Sequence, residues 1–471
     1  MNRYIWLRRA ATALPALFLL LATLPAPAAA PTHSAVLPVV LAPPGVIAVA
    51  DAAGLRAAIA TANAAGQMPT INLTADITIY AALPPLDNPG AGVATIRGNG
   101  HTVDGSGHGP ILTVGAATTV VVEQLTLSNG QTGDCGGGIL VYGDLTLRRS
   151  QVRRGYANRG GGICALADGG QATVRLEQSS VSDNAAGDGG GIYARASNSG
   201  GGVSLWIVDS TVSGNRATGD YGGGIFAYAS TGAVGTRIIR STVSFNSAPT
   251  AAGLFNLGAQ DAAPVRSPTA FATTTIENST FSGNVALKEG GAIGNYTLIW
   301  PYPERWSQWP EAGASIGPAA PKPLPPGIGF GQVKLVNSTI TGNGASRGSG
   351  IFNGELGQVE MSGTIVSDNR PDGGDCAGGI GSLGYNLDGD GTCGLGQPTD
   401  LPRAEADLQL LASWPPGVTA THALGPHSAA RDRIPAGAMG CGAAATDQRG
   451  VPRPQPAGGR CDMGAYEVEQ P

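Results

Sequence analysis

A six-residue unit returns through this chain, clearest as "SSVSDN" ending at Asn184, "STVSGN" at Asn215, "STVSFN" at Asn246, "STFSGN" at Asn284, "STITGN" at Asn343 and "TIVSDN" at Asn369. Two degenerate copies precede it, "LTLSNG" ending at Gly130 and "SQVRRG" ending at Gly155. Most copies are followed, 8 to 10 residues on, by a glycine cluster and one apolar residue: Ile139, Ile163, Ile192, Ile225, Leu254, Ile293 and Ile351. Successive hexads end 25, 29, 31, 31, 38, 59 and 26 residues apart. Such a period marks a solenoid, whose coils cannot bury an apolar face alone and must stack on their neighbours.

Within a unit the apolar residues alternate. In "VSLWIVDSTVSGN", Val203, Leu205 and Ile207 fall two apart, and Val212 lies between Thr211 and Ser213. That is strand periodicity, and no unit carries the i, i+3, i+4, i+7 spacing of a helical repeat. The expected fold is therefore all-β, a single-stranded right-handed parallel β-helix with an N-terminal helical cap. Val181, Val212, Val243, Phe281, Ile340 and Val366 should stack inside as an apolar ladder. Asn184, Asn215, Asn246, Asn284, Asn343 and Asn369 should form a structural ladder at a turn, where Asn tolerates left-handed backbone and bonds its counterparts above and below. Glycine permits the close-packed corner that follows.

Composition narrows the remaining choices. The chain has 471 residues with 74 Gly and 34 Pro, and only 13% are charged. The net charge is −5, and three of the 28 basic residues are Lys, which argues against nucleic acid as a partner. The opening "MNRYIWLRRAATALPALFLLLATLPAPAAA" reads as an export signal over residues 1–30, with Arg3, Arg8 and Arg9 before an apolar run and small residues at 28–30. That run, Ala10 to Leu24, is short for a bilayer span and is interrupted by Pro15, so no transmembrane span is expected in the mature chain. Residues 31–50 read as a linker, 51–70 as a helical cap with Asp51 at its N-cap, 71–375 as the β-helix and 376–471 as a disulfide-pinned C-terminal region. The expected location is secreted or cell-surface. Six cysteines suit an oxidising compartment, and none has C-x-x-C spacing. Nearness in sequence pairs Cys376 with Cys393 and Cys441 with Cys461, leaving Cys135 with Cys164.

The alternating "SGN" and "GGGI" units resemble the right-handed parallel β-helices of bacterial secreted proteins and are similar to the repeats of chlamydial polymorphic outer-membrane proteins. The tail, "THALGPHSAARD", "DQRGVPRP" and "CDMGAYE", resembles that of choice-of-anchor Q domain proteins, as does the opening "DAAGLRAAIATANAAGQMPTINLTADITI". The resemblance covers most of the mature chain and implies a surface protein on a β-helix scaffold. Arg431 and Arg433 depart from it, in a segment that is usually less charged.

Function is read from sites. Pectate lyases and polygalacturonases share the scaffold, but "GHG" at 107–109 lies before the clear repeats and no Asp-Asp dipeptide occurs, so His108 is read as a turn residue. Asp209, Arg240, Asn278 and Asn337 form one mixed column, read as a solvated face. "NLDGDGTC" spaces Asn386, Asp388 and Asp390 like calcium ligands, yet Gln397 stands where a closing acid belongs, so a turn pinned by Cys393 is the leading account and calcium the secondary one. An aromatic, Pro-rich insertion at 296–330 carries Trp300, Tyr302, Trp306 and Trp309, the candidate ligand-binding residues for sugar rings or a partner; the rival account is a stiff flap packing its own aromatics. The functional expectation is extracellular structural or binding work, adhesin-like or glycan-binding, with carbohydrate or cell-surface partners. The alternative is a polysaccharide lyase or glycoside hydrolase acting on acidic polysaccharide.

Overall fold

The computed structural model describes residues 45–66, 68–198, 200–260, 270–299, 330–369, 373–442 and 444–469. The expected export signal and the four insertion aromatics, Trp300, Tyr302, Trp306 and Trp309, lie outside these residues.

The chain winds as a parallel β-helix. Each full coil adds one strand to a first sheet, one to a second and one to a third, so every sheet grows by parallel pairing between successive coils. The first sheet has 12 strands, from Val46–Val49 to Gly381–Ser382, and the second has 12, from Ile77–Thr78 to Leu401–Pro402. The third has nine, from Leu112–Val114 to Cys376–Ala377, and a short fourth sheet of five strands fills the corner between the second and third. One coil reads Gly202–Val208, Thr211–Ser213, Arg216–Ala217, Ile225–Ala229.

The hexad occupies the second-sheet strand and the two turns that bound it, and each position has its own task. Position three points inward: Val181, Val212, Val243, Phe281, Ile340 and Val366 are all fully buried in one register. Position one is a ladder the sequence did not announce. The backbone N–H of Ser150 donates to Ser179 Oγ at 3.1 Å, and the pattern continues through Ser210, Ser241, Ser279, Ser338 and Thr364. Position six is the asparagine ladder. In each rung the backbone N–H and the Nδ2 of one Asn both donate to the Oδ1 of the next, at 2.8–3.1 Å. The same Nδ2 also donates back to a carbonyl of the preceding coil, as Asn215 does to Val181 O at 2.9 Å. One side chain thus stitches three coils together, answering the rule that buried polar groups must be paired.

The expectation that these asparagines adopt the left-handed turn conformation needs correcting. The positive φ belongs to the residue before each of them: Asp183, Gly214, Phe245, Gly283, Gly342 and Asp368. The asparagine itself turns inward and is buried, because only from there can its amide reach both neighbouring coils. The mixed column is likewise a left-handed corner, with φ of 46–49° at Asp209, Arg240, Asn278 and Asn337, and Asn337 is buried rather than solvated.

The glycine cluster makes the corner into the third sheet. Gly189 and Gly222 have φ of +60° and +65°, and a Cβ on Gly223 would lie 2.4 Å from Ser247 O of the next coil. The apolar residue closing each cluster, Ile139 through Ile351, is fully buried in the core.

The two ends hold further corrections. Val46–Val49, inside the expected linker, is the first strand and pairs in parallel with Thr70–Leu73; its alternating burial seats Ile47 and Val49 against the cap. The cap is the helix Ala52–Ala64, with Asp51 Oδ1 accepting from Gly54 N at 2.7 Å and Leu55, Ala58, Ile59 and Ala62 buried over the open end of the core. At the other end the solenoid does not stop at 375: Cys376–Ala377, Gly381–Ser382 and Leu387–Asp388 extend all three main sheets, and Leu401–Pro402 adds to the second.

The remainder folds back along the second sheet. Thr242 Oγ1 donates to Ala420 O, Thr280 Oγ1 donates to Gln448 Oε1 at 2.7 Å, and Ala465 N donates to Thr339 Oγ1 at 3.0 Å. That cover changes the burial of the hexad's second position. Thr211 is half-buried, whereas Thr242, Thr280 and Thr339 are buried. All three disulfides join the expected partners, Cys135–Cys164, Cys376–Cys393 and Cys441–Cys461.

Candidate functional site

A groove of about 1090 Å³ opens where the last coil meets the returning C-terminal segment. One wall is the end of a second-sheet strand at Ser367 and Asp368, a second is the pair of turns Gly373–Asp375 and Gly389–Thr392, and the third is the segment 403–408. Among the described residues its carboxylates are Asp368, Asp375, Asp390, Glu405 and Asp407, and its one cation is Arg403, whose side chain lies over Gly391.

Of the sequence-predicted ligand set, two members meet here and one does not. One carboxylate oxygen each of Asp375, Asp388 and Asp390 lie within 4.8 Å of one another. Asn386 is buried in the coil instead, continuing the first-position ladder: its Oδ1 accepts from Thr364 N at 3.0 Å and its backbone N–H donates to Asp400 Oδ1 at 3.0 Å. Position in the coil accounts for the split: Asn386 sits at the corner before the strand Leu387–Asp388, in register with the first-position ladder, whereas Asp388 pairs with Val366 and accepts from the turn that follows, at Gly391 N and Cys393 N. Asp375 was the residue missed. The signal was available, because pairing Cys376 with Cys393 necessarily brings residue 375 beside 388–392.

The three acids differ in their surroundings. Asp375 ends the asparagine ladder: its Oδ1 accepts from Asn369 N at 3.1 Å and Nδ2 at 2.8 Å, and its Oδ2 accepts from Asp390 N at 3.2 Å. Burial nevertheless pushes its carboxyl up to about 7, with the charge of Asp390 adding to the effect of burial. Asp388 is raised to about 6, again chiefly by burial, although Gly391 N and Cys393 N each donate to it at 2.9 Å. For Asp390 burial also acts upward, but hydrogen bonds from the hydroxyl and backbone N–H of Thr392 outweigh it and hold the carboxyl below its ordinary value. Glu405 and Asp390 are exposed and Asp375 is a buried part of the lining, whereas Asp388 is fully buried next to Asp375 and Asp390 and does not itself line the groove.

The groove can therefore present carboxylate acceptors, the Thr392 hydroxyl and glycine-lined backbone to a ligand rich in donors, or several hard oxygens to a cation. His108 stands apart from it, its ring Nδ1 lying 3.1 Å from Ser106 O, as a turn residue does. Among the described residues no helix is long and apolar enough to cross a membrane. No family model, curated protein or solved structure matches the chain.

Proposed function

We propose that the protein works as an extracellular or cell-surface binding scaffold, with the groove between the last coil and the segment 403–408 as its ligand site. The single observation behind this reading is a roomy, acceptor-rich groove set on two rigid supports, a disulfide-pinned turn on one side and a sheet-backed segment on the other. Sugar hydroxyls are donors that such acceptors match, and calcium is the cation that carboxylate and hydroxyl oxygens of this kind take. The three disulfides accord with an oxidising location. The test is a glycan-array screen of the mature chain with and without calcium, repeated on Glu405→Gln. Retention of every bound glycan by the variant argues against the groove as the site.

One observation favours a second reading, a hydrolase or lyase acting on acidic polysaccharide. The carboxyl of Asp375 is pushed up to about 7 by burial, so that a large share of it keeps its proton there, while hydrogen bonds hold its neighbour Asp390 ionised, the division of labour that an acid and its ionised partner need. Against it, both oxygens of Asp375 are engaged in holding the ladder and the adjacent turn. Release of new reducing ends or unsaturated ends from polygalacturonate, abolished in Asp390→Asn, is the outcome this reading requires.

A further inference from the structure

One coil is unlike the others in charge. Between residues 148 and 159 it carries Arg148, Arg149, Arg153, Arg154 and Arg159. Arg148 is tied to Glu123 and Glu177, at 3.4 and 2.9 Å. The other four guanidiniums make no ion pair or side-chain hydrogen bond among the described residues, and the Nε of Arg153 is buried without a partner. Arg149, Arg154 and Arg159 are exposed, while Arg153 is half-buried.

The coil places them as a band. Arg149 sits at the corner between the first and second sheets, Arg153 on the outer face of the second, Arg154 at the next corner and Arg159 on the short fourth sheet. Beside Arg149 is a shallow depression of about 410 Å³ lined also by Arg148, Arg175, Gln178 and Val208, whose two carboxylates, Glu177 and Asp209, are each held by an arginine of their own, Glu177 by Arg148 and Arg175 and Asp209 by Arg240. Two residues after Arg154, at the start of the fourth-sheet strand that also carries Arg159, comes Tyr156, 50% exposed. This band is seven first-sheet strands from the acidic groove, about 34 Å along the axis at the usual strand spacing.

We infer that this arginine band is a second binding surface, taking an acidic polysaccharide laid along the coil. Unpaired guanidiniums bind carboxylate and sulfate in a bidentate way, amide side chains such as Gln178 suit sugar hydroxyls, and an exposed tyrosine offers a face to a pyranose ring. The alternatives fit the same surface less well. Nucleic acid needs a recognition element for a groove or several stacking rings, whereas the band is one strip of flat sheet and corner with a single exposed ring, on a chain of net charge −5. A bilayer surface needs apolar side chains to insert, and Tyr156 alone offers one.

The neighbouring coils supply the test substitutions. Gln124 and Gln178 flank Arg149 in its column with φ of 50° and 49°, against 47° for Arg149. Asn129 and Asp183 flank Arg154, at 58° and 57° against 54°. Arg149→Gln with Arg154→Asn therefore repeats what the solenoid already accepts at these positions. Arg56→Gln with Lys334→Gln removes the same charge from exposed sites elsewhere. The full mature chain is titrated with polygalacturonate, dextran sulfate, neutral dextran, duplex DNA and phosphatidylserine vesicles at two salt concentrations. The expected result is binding to an acidic polysaccharide that weakens with salt, falls about tenfold in the band variant and stays unchanged in the control. Equal losses in both variants, no binding of the parent chain to either acidic polymer, or tighter binding to DNA or vesicles would each overturn the proposal. Loss here with the acidic groove intact is separable from loss of function in Glu405→Gln.

Discussion

Replacing Asn246 by alanine removes one rung of the asparagine ladder, and the structure allows its cost to be worked through. Asn246 Oδ1 accepts from the backbone N–H and the Nδ2 of Asn215, both at 3.0 Å, while its own Nδ2 donates to Val212 O at 3.0 Å and Asn284 Oδ1 at 2.9 Å. After truncation Asn215 Nδ2 still reaches Val181 O, and Asn284 Oδ1 still accepts from Asn246 N. The backbone N–H of Asn215 keeps no acceptor, and Asn215 is fully buried. Leaving one buried donor unmade costs about 1–3 kcal/mol, and losing the remaining bonds to groups that keep a partner adds roughly 0.5–1 kcal/mol each. With three such bonds the expected loss is about 2.5–6 kcal/mol, a large part of the roughly 5–15 kcal/mol that typically holds a domain together. Guanidinium unfolding followed by circular dichroism measures the loss, and hydrogen exchange at the Asn215 amide locates it. Asn246→Asp makes a sharper companion, since it keeps the volume and the Oδ1 acceptor but turns a second acceptor toward Val212 O and Asn284 Oδ1. It should cost at least as much as alanine. A loss below about 1 kcal/mol in both variants, with Asn215 still protected, would refute the ladder as a source of stability.

Three further outcomes are expected. Val212→Asp places an unpaired charge in the fully buried column and should melt the neighbouring coils; a variant with the parent's melting temperature rejects the register. Cys441→Ser with Cys461→Ser opens a 20-residue loop that pins the tail and should cost about 3 kcal/mol, read as a lowered melting temperature and earlier proteolysis within 403–469. Asp375, Asp388 and Glu467 have folded pKa values of about 7, 6 and 7, above their unfolded values, so the folded chain holds the extra protons and their contribution to stability falls as pH rises from about 4 to 7. Asp375→Asn should flatten that part of the profile, and a variant curve parallel to the parent's throughout would contradict it.

Much of the solenoid was legible because its rules are local. Alternation placed Val212 inside, and the glycine before Ile225 marked the corner. The left-handed residue was misplaced by one because Asn is common at positive φ, and only the three-coil reach of Asn215 reveals why it faces inward. Val46–Val49 was hidden by its Pro- and Ala-rich surroundings, being four residues supported by the next strand and by the cap, neither of which a four-residue pattern reveals. The last coil was missed because Asn386 and Asp400 fill ladder positions that hydroxyl residues hold elsewhere, so the hexad is no longer visible. In the acidic groove Asp388 and Asp390 were legible from spacing, whereas Glu405 and Asp407 arrive through a long-range return of the chain that no short motif encodes. The four insertion aromatics fall outside the described residues, so their reading rests on the sequence.

Both ladders run one way and both end in an aspartate, Asp375 for the asparagines and Asp400 for the hydroxyl series. In every rung the backbone N–H donates toward the C-terminal side and a side-chain oxygen accepts from the N-terminal side, and at Asp375 and Asp400 that oxygen belongs to a carboxylate, which has no side-chain donor to pass on. This gives the fold a direction of growth. As the chain emerges from a ribosome or a translocation pore, the most recent coil always presents unfilled donors, and each new coil satisfies them and exposes its own. At the end of the series the last donors are met locally, Asp375 N by Asp390 Oδ2 and Asp400 N by Gln397 O, rather than by a further coil.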